Sequence, residues 1–107
     1  MSSFDEREAS FENKFKHDKE LEFKAIARRN KLLGLWAANL LGIHGTEAET
    51  YAKAVLKADL EQPGDQDVVN KVLGDFQQRG VDMSEHRLRK QMTELMSAAV
   101  AQIKAEV

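Results

Sequence analysis

Apolar residues recur along most of this chain at steps of three and four, and nowhere in sustained alternation with polar ones, so the pattern predicts helices and no strands. Four interruptions divide it: Gly42–Gly45, Pro63–Gly64, Gly80, and the connection Val81–Ser84 just after it. Between the first two, Ala48, Tyr51, Ala52, Val55 and Leu56 share one helical face, and Thr46 with Glu49 has the spacing of a capping box. Asp65 is placed to cap a third helix with the stripe Val68, Val69, Val72, Leu73 and Phe76, and Gly80 suits its left-handed end. Ser84 is placed to cap the last helix, with Met83 and Leu88 as a hydrophobic staple. Its stripe runs through Met92, Leu95, Met96, Ala99 and Val100 to Ile103.

The first forty residues behave differently. Ser3 and Glu6 again have capping-box spacing, no breaker follows until Gly34, and Gly42 is the first plausible stop. Read continuously, this is a helical pattern about 55–60 Å long at ~1.5 Å per residue, more than a small bundle can cover. Its second half, Leu32–Leu41, is apolar on all sides and is expected to be a buried helix. Its first half, Ser3–Glu20, is mostly charged, with Phe4, Phe11 and Phe15 as its large apolar residues. Steps of seven and four place those rings within about 20° of one line on a 100°-per-residue wheel. The fold class is therefore all-α: a four-helix bundle over residues 20–107, packed from about Leu21 to Lys104. An N-terminal arm, helical or partly disordered, covers residues 1–19. Short connections favour antiparallel neighbours.

A length of 107 residues suits one domain. Cysteine is absent, which excludes disulfides, thiolate metal sites and cysteine nucleophiles. The apolar stretch around Leu32–Ile43 is too short to span a membrane, and Asp5, Glu6 and Glu8 stand where a signal peptide would be basic and then apolar. The expected setting is intracellular. A net charge of −2 argues against a dedicated nucleic-acid binder.

Catalytic constellations are missing too. His17, His44 and His86 have no metal-ligand spacing, so no metal or other cofactor is expected; His17, beside Asp18, is a candidate for titration near neutral pH. No serine sits in a strand-to-helix elbow, and Gly42-Ile43-His44-Gly45 lacks the rest of a phosphate loop. The basic group Lys24, Arg28, Arg29 and Lys31 reads first as a solvated helix face. Its sharper reading, a nucleotide-binding regulatory bundle using Arg28 and Arg29, is the alternative function.

The phenylalanine ridge resists the bland reading, because its flanking charges leave a strip too narrow for an interior helix. Three rings do not by themselves repay the ordering of so long a segment from coil. The arm is expected to extend the bundle's first helix, where propagation avoids the cost of nucleation, or to gain polar contacts in a partner's groove.

Several stretches resemble the zeta subunit of alphaproteobacterial F-type ATP synthases. They are Phe4-Asp5-Glu6-Arg7-Glu8, Phe11-Glu12-Asn13-Lys14-Phe15, His17-Asp18, Glu20-Leu21-Glu22-Phe23-Lys24 and Ala27-Arg28-Arg29-Asn30-Lys31-Leu32-Leu33-Gly34-Leu35-Trp36-Ala37-Ala38. The similarity continues more weakly through Ala52–Asp59, Asp67-Val68 and Lys71-Val72. The resemblance implies a four-helix-bundle inhibitor of ATP hydrolysis, not an enzyme, that is monomeric when free. It implies as partners the alpha, beta and gamma subunits of the catalytic sector, with no nucleic acid and no membrane insertion. The protein would be cytoplasmic, held at the inner membrane only through the synthase. In that family the N-terminal segment enters an alpha/beta interface near the gamma shaft. Carried over, Phe4, Phe11 and Phe15 would be apolar anchors, and Arg7, Glu8, Glu12, Lys14 and Lys16 charged contacts.

Overall fold

The computed structural model describes residues 19–61 and 64–106. They form four helices and, among the described residues, no strand: α1 (Lys19–Leu41), α2 (Thr46–Glu61), α3 (Gln66–Gln78) and α4 (Glu85–Glu106). The all-α four-helix architecture expected from periodicity is thus the one observed. The arm and Pro63 lie outside the described residues.

Helix ends follow their sequence signals where glycine and serine act. At the end of α1, Ile43 N–H donates to the Ala38 carbonyl at 2.8 Å and Gly42 N–H to Asn39 at 3.3 Å. At the end of α3, Val81 N–H donates to Phe76 at 2.8 Å and Gly80 N–H to Gln77 at 3.2 Å. Both are Schellman closures, which require a left-handed residue, and Gly42 (φ 77°) and Gly80 (φ 72°) supply it. Ser84 caps α4 as expected, its Oγ accepting from Arg87 N–H at 3.1 Å. Met83 packs on the core cluster that holds Leu88. Thr46 instead proves to be the first residue of α2, with Ala48 N–H closing onto the Gly45 carbonyl at 3.1 Å.

The main core joins all four helices through Leu33, Ala37 and Leu41, Val55, Val68, Val69, Val72 and Phe76, and Leu88 and Met92. A smaller cluster, Ala25 with Ile103, is extended by Leu21, Met96 and Val100 and lies between α1 and α4. Leu33 and Leu41 meet the start of α4 while Ala25 meets its end, so α1 and α4 run antiparallel. Trp36 stands edge-on to Phe76, ring centres 5.9 Å apart at 86°, a favourable aromatic geometry. The expectation that Leu32–Leu41 is buried all round is corrected. Leu33, Gly34, Ala37, Ala38 and Leu41 are buried, but Leu32, Leu35 and Trp36 are half-buried and Leu40 is 43% exposed. Three neighbouring helices cover one broad face of α1 and leave the opposite face to water.

Gly34 sets a close approach between α1 and α2. A methyl group there would lie 2.5 Å from the Ala52 Cα and 3.0 Å from its Cβ. Backbone on that side cannot yield as a flexible side chain would, so glycine permits the α1–α2 contact.

A buried cation ties α1 to the start of α3. Arg29 is only 3% exposed, and its guanidinium donates to the Asp65 carboxylate at 2.7 Å and 3.5 Å and to Asn30 Oδ1 at 2.8 Å. Arg29 therefore does not belong to a solvated face. Asp65 occupies the N-cap position of α3 yet makes no side-chain capping bond, because Arg29 takes its carboxylate. Asn30 is fully buried, and its Nδ2 has no partner among the described residues. Desolvation raises the pKa of the nearby Asp59; Arg29 opposes the rise, and Asp65 and Asp67 add to it.

Gly34→Ala gains about 1 kcal/mol of helix propensity but must overpack against α2, typically at ~1–3 kcal/mol. A net loss of up to about 2 kcal/mol in denaturant unfolding is expected, and a higher midpoint would contradict the close-approach account. Asp65→Ala strands a buried guanidinium and is expected to cost about 1–3 kcal/mol. Replacing the half-exposed Glu106 partner of Arg28 is expected to cost within about 0.5 kcal/mol. Asp59 binds its proton more tightly folded than unfolded, so its ionised form costs stability above the raised value. Asp59→Asn should therefore stabilise the bundle at neutral pH, and pH-dependent melting should show the gain vanishing as pH falls through the carboxylate range.

Candidate partner-binding site

The arm expected to bind a partner joins the bundle at the start of α1, and α4 supplies the mount. Leu21 and Ala25, four residues apart, face Met96, Val100 and Ile103, spaced by four and three, so two helical stripes meet. Beside them Arg28 reaches across to the last turns of α4, donating to Gln102 Oε1 at 2.9 Å and Glu106 Oε1 at 2.7 Å. Among the described residues, only α1 and α4 build this cluster. Among the described residues, the start of α1 is thus held by one thin apolar seam and one two-pronged polar clamp.

On this stretch of α1 lies Phe23, 57% exposed, between exposed Glu22 and Lys24. An open aromatic ring next to the arm is a candidate contact residue, and the search for a ridge passed over it. On a continuous helix it sits about 80–120° from the line of Phe4, Phe11 and Phe15. Its signal in the sequence was an aromatic residue flanked by charges, which periodicity does not separate from a core position.

The expected contact residues Phe4, Arg7, Glu8, Phe11, Glu12, Lys14, Phe15 and Lys16, and also His17, lie outside the described residues. Arg28 and Arg29, the pair singled out for a nucleotide, are adjacent in sequence but engaged differently. Arg28 holds α4, and Arg29 is buried against Asp65. Lys24 and Lys31 remain exposed.

Among the described residues, a cluster of polar side chains joins α2 to α3. The Tyr51 hydroxyl donates to Asp75 Oδ2 at 2.7 Å, Lys71 donates to the same oxygen at 3.1 Å, and its ammonium lies 5.2 Å from the Tyr51 ring centre. Burial, then the hydrogen bond and charge of Asp75, raise the phenol pKa well above its ordinary value, so this group ties α2 to α3 as a neutral donor. His44 and His86 are exposed. Among the described residues no three His, Asp or Glu side chains are grouped to hold a metal, and no helix is long and apolar enough to cross a membrane. A hollow of about 480 Å³ beside Arg29, Asp65 and Arg89 is lined by charges already paired, Arg89 with Glu85 and Gln66.

A structure determined by solution NMR is 47% identical in sequence, covers 81% of this chain and 99% of its own, and superposes with a TM-score of 0.71. A comparison with curated proteins returns no match. The sequence pattern of the ATPase inhibitor subunit zeta family matches residues 1–102, which takes in both the arm and the bundle. The chain belongs to the ATPase inhibitor subunit zeta family.

Proposed function

We propose that the protein inhibits ATP hydrolysis by the F-type ATP synthase with its N-terminal segment, about Ser3–Lys19, which enters an alpha/beta catalytic interface near the gamma shaft. The observation that carries this reading is the extent of the family match. It begins at residue 1, so the Phe4, Phe11 and Phe15 ridge is part of the matched sequence and not an appendage to it.

The mechanism is steric and directional, and it asks no chemistry of this chain. A helix wedged in the interface binds one catalytic conformation better than the others and so holds the rotor there. Rotation in the hydrolytic sense closes on the wedge; rotation in the synthetic sense opens the interface and releases it. Recognition is of the helix-in-groove kind, with apolar anchors on one line and charges beside them. α1 supports this mode physically, because a helix already ordered at Lys19 extends toward the N-terminus without a new nucleus. The Arg28 clamp and the Leu21–Ala25 seam hold the root while the bundle braces the interface from outside.

Hydrolysis by the purified catalytic sector tests the proposal directly. The full chain should inhibit, and a chain lacking Met1–Lys19 should not, although its bundle still melts cooperatively. Phe11→Ala removes one anchor worth about 1.5–3 kcal/mol and should weaken inhibition by roughly 10–150-fold. Inhibition that survives the truncation unchanged would remove the arm from the mechanism.

A further inference from the structure

The start of α1 is held at a place where direction matters more than stability. The main core grips α1 from Leu33 to Leu41. From Leu33 back to Lys19 the helix runs on for about 21 Å at ~1.5 Å per residue. On a lever of that length a tilt of about 10° carries Lys19 through about 4 Å. What limits the tilt is the contact with α4.

Two kinds of contact meet α4 there. The seam of Leu21 and Ala25 against Met96, Val100 and Ile103 is apolar. Apolar burial is non-directional, so it draws the helices together without fixing how one slides or rolls on the other. Arg28 adds direction. Its Nη1 donates to Gln102 Oε1 at 2.9 Å and its Nη2 to Glu106 Oε1 at 2.7 Å. Gln102 and Glu106 stand one turn apart on the same face of α4, about 6 Å along its axis. A planar guanidinium bridging the two is laid along α4, and a slide or roll of α1 breaks one prong. A lysine ammonium is a point charge and would hold one acceptor without fixing that line.

The pairing contributes little to folding. The Arg28 side chain is 29% exposed and that of Glu106 54%, so water screens their attraction. Its neighbour Arg29 is the opposite case, enclosed against Asp65. A pair that is weak in stability yet fixes the lie of a long lever has a geometric role.

We propose that Arg28 is a positioning residue for inhibition: bridging Gln102 and Glu106, it sets the line on which α1 leaves the bundle and meets the catalytic sector. The geometric part stands on the bundle alone, and its consequence for inhibition rests on the proposed function. A helix on the right line for roughly a tenth to a third of the time binds its target about 3–10-fold more weakly.

Two full-length variants test this, Arg28→Ala and, separately, the pair Gln102→Ala with Glu106→Ala. In weakly aligned NMR samples of the parent chain, amide dipolar couplings from Glu22 to Ala27 should fit one orientation with those of Leu33, Val72 and Leu88. In both variants they should depart from it, while the melting temperature falls by no more than about 4 °C. In the hydrolysis assay both should inhibit about 3–10-fold more weakly. Combining all three substitutions should add nothing further, because each removes the same bridge. Arg28→Lys should share the loss, and full inhibition by that variant would overturn the fork. Couplings that keep the bundle's orientation in Arg28→Ala would overturn the clamp. Weaker inhibition by Arg28→Ala but not by the α4 pair would make Arg28 a direct contact with the partner, which overturns the positioning role equally. A parent chain that does not inhibit would refute the proposed function, and the couplings would still decide whether Arg28 sets the line of α1.

Discussion

A helix can be buried only along the length and the face that its neighbours cover, and that constraint on α1 shapes the rest of the molecule. Its middle and end meet the other three helices at Leu33, Ala37 and Leu41, where the main core forms. Its beginning meets, among the described residues, α4 alone at Ala25 and Leu21. Burial therefore thins toward the end from which the arm departs. Under the proposed mechanism, the segment that binds elsewhere adjoins the part of α1 that the described residues cover least.

Two adjacent arginines show how burial decides what a charge is for. Arg28, partly exposed, grips the end of α4 through Gln102 and Glu106, and water screens much of that attraction. Arg29 is enclosed, so its pairing with Asp65 and Asn30 is a condition of folding and not an ornament to it. Asp65 gives up the capping of α3 for this purpose. Because Asp65 follows the α2–α3 turn, the pair also fixes where α3 begins relative to α1, and the valine stripe of α3 reaches the core from there.

This construction suits a family of inhibitor subunits. The described polar groups close on one another: Tyr51 and Lys71 on Asp75, Arg89 on Glu85, Arg79 on the Leu41 carbonyl. Such pairs stiffen a scaffold. Under the proposed mechanism a stiff scaffold is what the arm needs, since holding a rotor requires only that the wedge be braced.

Periodicity and chain punctuation were enough to determine the helices, their order and several of their ends. Left-handed closures at Gly42 and Gly80 and the Ser84 cap depend on backbone geometry within a few residues, so local sequence specifies them. The Phe4, Phe11 and Phe15 ridge is likewise a spacing along the sequence, and it lies outside the described residues. Contacts between helices decided the remainder. Arg29 looked like a surface cation because its partner lies 36 residues away, and Asp65 looked like a cap because α1 was not in view. Leu40 looked like core because composition cannot say which side of a helix its neighbours will cover. Gly34 looked like a weak point in a helix until Ala52 came against it. In each case the deciding atom belongs to another helix, and only the packed bundle brings it within reach.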